Sequence, residues 1–538
     1  MEIVLGCHLD GQRSWVPGRS IDRVVMGPSA LLGYLESQLG LVAPPVSHSQ
    51  RIAAYLGALR ETDNGKRFYS TSLDVDALAS AAELLHWRDE LRMAGWTGES
   101  PSSGGGRVAG LAAVESRAGD LVRRGMADRV YACIEELDRY ALKDIRLSLL
   151  DPVTAFPRAF QQLIERLPAT VVENESAAVD PANDLQTLQA ALQSLGSGPM
   201  REASFRGDGS LRIVAASSGE AALQFAAAEL DDCGADLLLL AADGCELLDI
   251  RQAACGRPNL GVSMSAPVDP GLQFLPLALD LLWKPVRVAS LLGFLQHPLC
   301  PLHGDLRYWL TRAVSDSPGL GGEAWQHAIE RACGATSEPA ELREAVARWV
   351  LVQELDDAHG AAIPILAERV GLLRQALVAR RQKPSADSET VEVALAHASN
   401  FLETIRLMQS SGQAELSRQQ VERLILISAQ GAAGYSSVAH VGAPRLANCA
   451  GAVVEPARSL LWWQPRAERE PRVRWTEREL AALETVGVVY PPYAERSRQA
   501  RSEWDMMKGI SRAAGVPFLN DPLIDDVQLE RARDGAQP

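Results

Sequence analysis

The chain has 538 residues, of which 47% are apolar and 22% are charged, so its composition is that of an ordinary globular protein. This composition excludes a collagen, a coiled coil or a wholly disordered chain, and the length predicts about three or four domains. Basic residues number 53 against 68 acidic ones, and the net charge of −15 argues against a broadly basic surface that coats nucleic acid. A local basic groove is compatible with this charge.

The first 200 residues predict an α/β domain. Two short apolar segments, Glu2–Leu5 and Arg23–Met26, predict strands, and Ser29 is a suitable N-cap for a helix that ends at Gly40. The other elements predicted in this domain are helices at 49–60, 74–94, 109–142 and 184–195, a Gly- and Ser-rich linker at 98–106, and strands at Ile145–Leu150 and Thr170–Val172.

Residues 201–271 and 413–470 predict a second α/β domain of RecA-like or Rossmann-like type. Strands predicted at Leu211–Ala215, Leu237–Ala241 and Leu260–Ser263 alternate with helices, which is typical of parallel β–α–β units. Strands are also predicted at Ser436–Val441, Ala452–Val454 and Ser459–Trp463. Residues 272–412 have a helical pattern and predict an insertion in this domain, and residues 471–538 predict a helical extension with a polar tail. The predicted fold class is therefore α/β, with two parallel-sheet domains that carry large helical insertions.

A glycine frame follows the first predicted strand. Gly6 and Gly11 have the spacing of a phosphate-binding P-loop, but Gln12 and Arg13 stand where the loop needs Lys and Ser or Thr. The frame is compatible with a degenerate P-loop and equally with an ordinary turn. The chain has only five lysines, and none of them completes another P-loop, so we expect no ATPase activity.

The same five lysines bear on nuclease chemistry. Restriction-type nucleases place an acidic residue two positions before a lysine, so that a carboxylate and an ammonium group meet the metal and the attacking water. The residues two positions before the lysines are Asn64, Ala141, Leu282, Arg381 and Met506. No catalytic residue is therefore predicted.

The sequence predicts neither a cofactor nor a metal site. The eight cysteines contain no C-x-x-C pair, and the nine histidines form no H-E-x-x-H motif. The N-terminus lacks the pattern of a secretory signal, and the most apolar run, Leu237–Ala242, is far shorter than the roughly 20 residues that cross a bilayer. We therefore expect a cytoplasmic protein without a membrane partner.

Tryptophan and arginine residues near the end of the second domain are candidates for nucleic-acid binding. Trp462 and Trp463 end a predicted strand, and Arg474 belongs to the arginine-rich stretch that follows. Indole rings stack on bases and guanidinium groups bind phosphates, so these three residues could hold single-stranded or forked DNA. The alternative is core tryptophan beside a solvated turn, because glutamates dilute the basic run.

Several short phrases are spread over much of the chain: Phe68-Tyr69 and Ser72, Leu84 to Leu91, Gly95-Trp96, Gly207 to Leu211, Gln273 to Leu279, Trp283, Pro285, Leu291-Leu292, Phe294-Leu295, Pro298, Pro318 to Gly322 and Trp325. Together they resemble AddB/RexB-type proteins, the inactivated superfamily I helicase subunits of bacterial helicase–nucleases. The resemblance implies two RecA-like domains with helical insertions, the first of them (residues 1–200) degenerate, that serve in DNA end processing. The chain departs from the family because it has neither the acidic-x-Lys nuclease motif nor clustered cysteines.

These observations predict a non-catalytic helicase-like scaffold in DNA repair, recombination or defence against foreign DNA. Its expected partners are DNA and a helicase or nuclease protein. Two alternatives remain open: a protein-interaction scaffold without DNA affinity, and an enzyme that binds a small ligand in the crevice of the 207–263 α/β segment.

Overall fold

Two parallel β-sheets and a large block of helices make up the described part of the protein. The computed structural model describes residues 1–11, 22–101, 106–142, 144–171, 183–194, 204–233, 237–241, 245–261, 269–353, 355–382, 388–430, 432, 439–453, 459–464, 474–489 and 516–520. The mixed α/β class predicted from the sequence is confirmed within these ranges.

The first sheet has four parallel strands in the order β2-β1-β3-β4. These strands are β1 (Glu2–Leu5), β2 (Arg23–Met26), β3 (Arg146–Leu149) and β4 (Ala169–Val171). The first-half helices are α1 (Pro28–Leu39), α2 (His48–Thr62), α3 (Ser70–Val75), α4 (Ala77–Met93), α5 (Gly106–Glu115), α6 (Asp120–Arg123), α7 (Met126–Arg139), α8 (Arg158–Ile164) and α9 (Asp184–Ser194).

Apolar side chains of the first sheet pack against α1, α7 and α8. Ile3 and Leu149 are fully buried and share one hydrophobic cluster with Leu35 of α1, Val130 of α7 and Phe160 of α8. Helix α1 ends because Gly40 adopts a left-handed conformation at φ 70°, which glycine accepts without steric cost. The N-cap of α1 is Gly27 with Pro28 after it, and not Ser29 as the sequence predicted.

The second sheet has the parallel order β5-β11-β10-β6-β9. Its strands are β5 (Leu211–Ala215), β6 (Leu237–Leu240), β9 (Arg445–Ala447), β10 (Ser459–Trp462) and β11 (Val516–Asn520), and its helices are α10 (Gly219–Cys233) and α11 (Glu246–Ala254). All four leucines of β6 are buried, as expected for a strand with neighbours on both edges and cover on both faces. Strand β11 comes from the segment for which the sequence predicted a helical extension and a polar tail.

Some predicted strands of the second domain are absent from the described residues or displaced. Of the predicted strand Ala452–Val454, residue 452 ends a 3-10 turn, Ala450–Ala452, where the small residues allow a tight bend, residue 453 is not in a strand, and residue 454 lies outside the described residues. Of the predicted strand Leu260–Ser263, residues 260–261 are not in a strand, since Gly261 has a left-handed φ of 80°, and residues 262–263 lie outside the described residues. For the predicted strand Ser436–Val441, residues 436–438 lie outside the described residues. Residues 439–441 are described and are not in a strand. The nearest strand, β9, begins four residues later.

The helical block unites helices from both halves of the sequence in one hydrophobic core. Its later helices are α12 (Pro270–Asp280), α13 (Val288–Gln296), α14 (Gly304–Asp316), α15 (Glu323–Gly334), α16 (Pro339–Trp349), α17 (Ile363–Arg381), α18 (Ser388–Ser410), α19 (Arg418–Ala429) and α20 (Glu477–Glu484), with a small antiparallel pair, β7 (Ala361–Ala362) and β8 (Glu415–Leu416). Helix α18 packs against α2, and the hydroxyl of Thr404 donates to that of Ser49 at 2.8 Å.

Helix α19 belongs to this core through Val421, Leu424 and Ile427. Packing therefore groups it with the helical block, whereas the sequence predicted a return to the second α/β domain at residue 413. Within the described ranges, no helix is both long and apolar enough to cross a membrane.

Candidate functional site

The carboxyl edge of the first sheet is the place where open parallel sheets usually bind ligands. Three loops meet there: Gly6 follows β1, Gly27 follows β2, and Asp151 lies just beyond β3. A direct strand-to-helix turn lies at Gly27, between β2 and α1. Phosphates bind at the N-terminus of a helix that follows a strand, so this turn has the geometry of a possible nucleotide site.

The carboxylate of Asp10 occupies the N-terminus of α1. The amide of Ser29 donates to both oxygens of Asp10, at 3.0 and 2.8 Å, and the amide of Ala30 donates to Oδ1 at 3.2 Å. A Cβ on Gly27 would lie only 2.3 Å from the Asp10 amide nitrogen, so the close approach of the two loops requires glycine. An anion supplied by the chain itself thus fills the helix terminus at which a phosphate would bind.

A second carboxylate, that of Asp151, accepts a backbone hydrogen bond at the same edge of the sheet. Asp151 is buried, and its Oδ2 accepts a hydrogen bond from the amide of Cys7 at 2.8 Å. The backbone amides after β1 and β2 therefore face acidic side chains of this chain. Because like charges repel, such an arrangement disfavours a bound phosphate.

Apolar side chains fill the space between the two sheets. Leu9 and the partly buried Leu150, from the loops of the first sheet, belong to one cluster with Leu238, Leu240 and Leu460 of the second sheet. We call these five residues the sheet interface cluster. Buried leucines offer no polar group to orient a ligand, so this packing closes the crevice rather than lining a binding site.

The predicted glycine frame is only partly within the described residues. Gly6 and Gly11 lie in the loop after β1, and Gly11 has φ 70°, whereas Gln12 and Arg13 lie outside the described ranges. The described part of the loop leads towards β2 and not directly into a helix. A strand-to-helix turn that the structure does describe follows β2 instead, at Gly27.

The three candidate DNA-binding residues do not form one surface. Trp462 is the last residue of β10 and Trp463 follows it directly, and the two side chains pack in different hydrophobic clusters of the second sheet. Trp462 is half-buried beside the sheet interface cluster, and Trp463 is 2% exposed in the core under α10 and α11. This burial leaves no ring face of Trp463 on which a base could stack.

Arg474 lies against helix α4. Its guanidinium group lies 5.4 Å from the ring centroid of Trp87, donates to Glu90 at 3.1 Å and approaches Glu83 to 3.6 Å. The charge of Arg474 is thus balanced by carboxylates, which the sequence analysis did not foresee. Its role in phosphate binding stays a prediction.

Sequence reasoning missed Asp10 and Asp151. The available signal was their position, because each follows a buried strand by a few residues and so lies at the carboxyl edge of a parallel sheet. Among the described residues, no group of three His, Cys, Asp or Glu side chains is arranged to hold a metal ion.

Comparison with known proteins adds no assignment. No protein-family model matches the chain, and no curated protein matches it. Its function must therefore be inferred from the fold and from the geometry of these loops.

Proposed function

We propose that this protein is a non-catalytic scaffold of the inactivated-helicase type, with two RecA-like domains and helical insertions. It would bind DNA ends, or organise a helicase or nuclease partner, in repair, recombination or defence. The proposal has three supports: two parallel sheets, a helical block with strands before and after it in the sequence, and the phrases that resemble AddB/RexB-type proteins.

One observation carries the non-catalytic part of the proposal. The carboxylate of Asp10 accepts the amides of Ser29 and Ala30 at the strand–helix turn where a nucleotide phosphate would bind. The sheet interface cluster packs leucines between the two sheets, where a helicase of this architecture would hold its nucleotide. A protein arranged in this way keeps the helicase fold without the means to use ATP.

DNA binding would depend on local features of the surface. The net charge of −15 limits any phosphate contact to local arginine clusters, so we expect modest, salt-sensitive affinity. Trp462 is the remaining stacking candidate, since Trp463 is buried. A protein scaffold without DNA affinity and a small-ligand enzyme remain the alternatives.

The proposal is tested by titrating labelled forked, blunt and single-stranded DNA with the full chain at increasing salt, with and without Mg²⁺–ATP. The logarithm of the binding constant should fall linearly with the logarithm of the salt concentration, because the protein displaces counterions from the DNA phosphates that it contacts. ATP should be neither hydrolysed nor able to change the affinity. Trp462→Ala should weaken single-strand binding by about 1–3 kcal/mol, the value of one base stack.

Trp309→Ala is the matched control, since Trp309 is a similarly half-buried tryptophan on α14. It should leave DNA binding unchanged. If the parent binds no DNA even at low salt, the protein-interaction scaffold becomes the better interpretation. ATP hydrolysis by the parent would contradict the non-catalytic part of the proposal.

A further inference from the structure

A groove lies between three helices of the helical block, α12, α13 and α19. Its volume is about 350 Å³, within the range of about 300–1,000 Å³ that is typical of ligand sites in proteins. Helix α12 packs against both α13 and α19, so it forms the base of the groove and the other two helices form its walls. The apolar part of the groove consists of Pro276, Leu277, Leu279, Trp283, Val421 and Ile425. We call these six residues the groove lining.

Short side chains on α13 leave this space between the helices unfilled. Ser290 faces the groove, and its hydroxyl donates to the carboxylate of Asp280. One turn farther along α13, a Cβ on Gly293 would lie only 2.9 Å from a methyl carbon of Leu277, so glycine permits the close packing of α13 on α12. The base of the groove is rigid for the same reason that its core is apolar, since Trp283 is 2% exposed and belongs to the core of the helical block.

The apolar surface continues beyond the groove along α19. Leu426 is 66% exposed and follows Glu422, a residue at the rim of the groove, by four positions, so the two side chains lie on the same face of the helix. A molecule of the size of the cavity would leave Leu426 in contact with water. The surface therefore fits a longer apolar segment of a protein better than a small ligand.

The charges at the groove favour a particular kind of segment. The carboxylates of Asp280 and Glu422 both pair with the guanidinium group of Arg418, at 2.8 and 3.3 Å. Arg287 at the rim and the nearby Lys284 are exposed, and neither forms an ion pair with another described residue. The uncompensated charge at the groove is therefore positive, and it is complementary to a carboxylate on the bound segment.

We propose that this groove binds an apolar segment of a protein partner, with an acidic residue of that segment beside Arg287 and Lys284. Apolar side chains of the segment pack on the groove lining and on Leu426, as the apolar face of an amphipathic helix does in a groove between helices. The inference rests on the part of the proposed function in which this protein organises a partner, and it does not depend on DNA binding.

Three labelled amphipathic peptides of about 15 residues, near the length at which isolated helices begin to form, test the proposal. They share one stripe of leucines and differ only at one position beside the stripe, which is Glu, Gln or Lys. Fluorescence anisotropy measures their binding to the full chain. The peptide with Glu should bind tightest, and the peptide with Lys about fivefold more weakly, because an exposed ion pair makes a modest contribution.

Two exposed positions of the groove are changed in turn. Leu426→Gln should weaken the binding of all three peptides by about tenfold, since a leucine contact is lost from the interface. Arg287→Glu should abolish the preference for the peptide with Glu. Arg287 is the N-cap residue of α13, and an acidic side chain at the N-terminus of a helix is favourable, so this variant should fold.

Leu247→Gln and Arg343→Glu are the matched controls. Leu247 on α11 is 62% exposed, close to the exposure of Leu426. Arg343 on α16 is exposed and, like Arg287, forms no ion pair with another described residue. Neither control should change the affinity or the order of the three peptides.

The proposal would be overturned if no peptide binds the parent at millimolar concentration, if binding survives Leu426→Gln, or if the peptides with Glu and Lys bind equally well. Sedimentation of the parent tests a second copy of this chain as the occupant. Dimers that form with rising concentration and that Leu426→Gln dissociates would identify that copy as the occupant and contradict a separate partner.

Titration of forked DNA with the same variants separates this inference from the proposed function. Leu426→Gln and Arg287→Glu should bind forks as the parent does. Loss of fork binding in Arg287→Glu would identify Arg287 as a phosphate contact and overturn its role in binding a protein. Peptide binding by a parent that binds no DNA would support the groove and remove only the DNA part of the proposed function.

Discussion

His397 on α18 shows how burial sets the properties of a single residue. The imidazole is 1% exposed, and its Nε2 hydrogen bonds with the carbonyl of Ile425 on α19 at 3.0 Å. Among the described residues, Nδ1 has no hydrogen-bond partner. Burial lowers the pKa of His397 from 6.5 to about 4, because a charged ring would lose its hydration in the helical core.

This pKa predicts an acid-dependent loss of stability. Between pH 6.5 and 4 the unfolded chain binds a proton at His397 that the folded chain does not bind, so stability is complete above pH 6.5 and falls as the pH falls towards 4. The loss should reach about 3 kcal/mol. His397→Gln keeps the donor to Ile425 and should flatten the pH dependence of urea unfolding over this range.

His303→Gln serves as the control for this measurement, because His303 is largely exposed. Its unfolding profile should follow that of the parent. Parallel profiles for the parent and His397→Gln would show that His397 does not titrate in this way.

At the scale of elements, a buried network of charges joins the helices around α4. Arg88 is fully buried and donates to Glu115 of α5 at 2.8 and 2.9 Å and to Asp128 of α7 at 2.6 and 3.0 Å. Arg51 of α2 pairs with Asp89 at 2.7 and 2.8 Å. These bonds connect the helical block to α7, which packs on the first sheet.

Arg88→Met should destabilise the protein by about 3–5 kcal/mol. The substitution fills a similar volume but leaves the buried carboxylates of Glu115 and Asp128 without their main cation, and breaking a buried pair on one side is costly. Chemical denaturation followed by circular dichroism measures the change. Arg139→Met is the comparison, since Arg139 is 64% exposed and pairs with Glu136 of its own helix, and it should cost at most about 1 kcal/mol. Equal losses in both variants would contradict a structural role of the network.

At the scale of the whole molecule, the helical block is not an autonomous insertion. Helices α18 and α19 pack against α2, and α19 also packs against α4, so segments more than 300 residues apart share one core. A fragment of residues 270–430 would expose the apolar surface that α2 and α4 cover in the full chain. The predicted insertion 272–412 is therefore half of a helical domain assembled from both parts of the sequence.

We expect the isolated 270–430 fragment to lack a cooperative thermal transition and to bind a hydrophobic dye. Exposed core surface produces this behaviour when specific packing is lost. Co-expression with a fragment of residues 44–142 should restore cooperative unfolding, because it supplies α2 to α7. Cooperative unfolding of the 270–430 fragment alone would show that its core does not need the first half.

The sequence alone determined the α/β class and the position of several strands. Strands β1, β2 and β5 begin and end where short apolar runs predict, and β10 differs by one residue, because a short strand needs only a local apolar run between turn residues. The lack of a Lys at the glycine frame was equally visible, since it depends on residue types and spacing.

Only the tertiary structure decided which strands are neighbours and what fills the carboxyl edge of the first sheet. Strand β6 lies between β10 and β9, Asp10 meets α1 across 19 residues, and Arg107 meets Glu479 across 372. These contacts join segments that are far apart in the sequence. Hydrophobic periodicity reports only on neighbouring residues, so it does not predict them. Which of Trp462 and Trp463 is buried likewise depended on the helices that cover the sheet, because Trp463 packs in the core under α10 and α11.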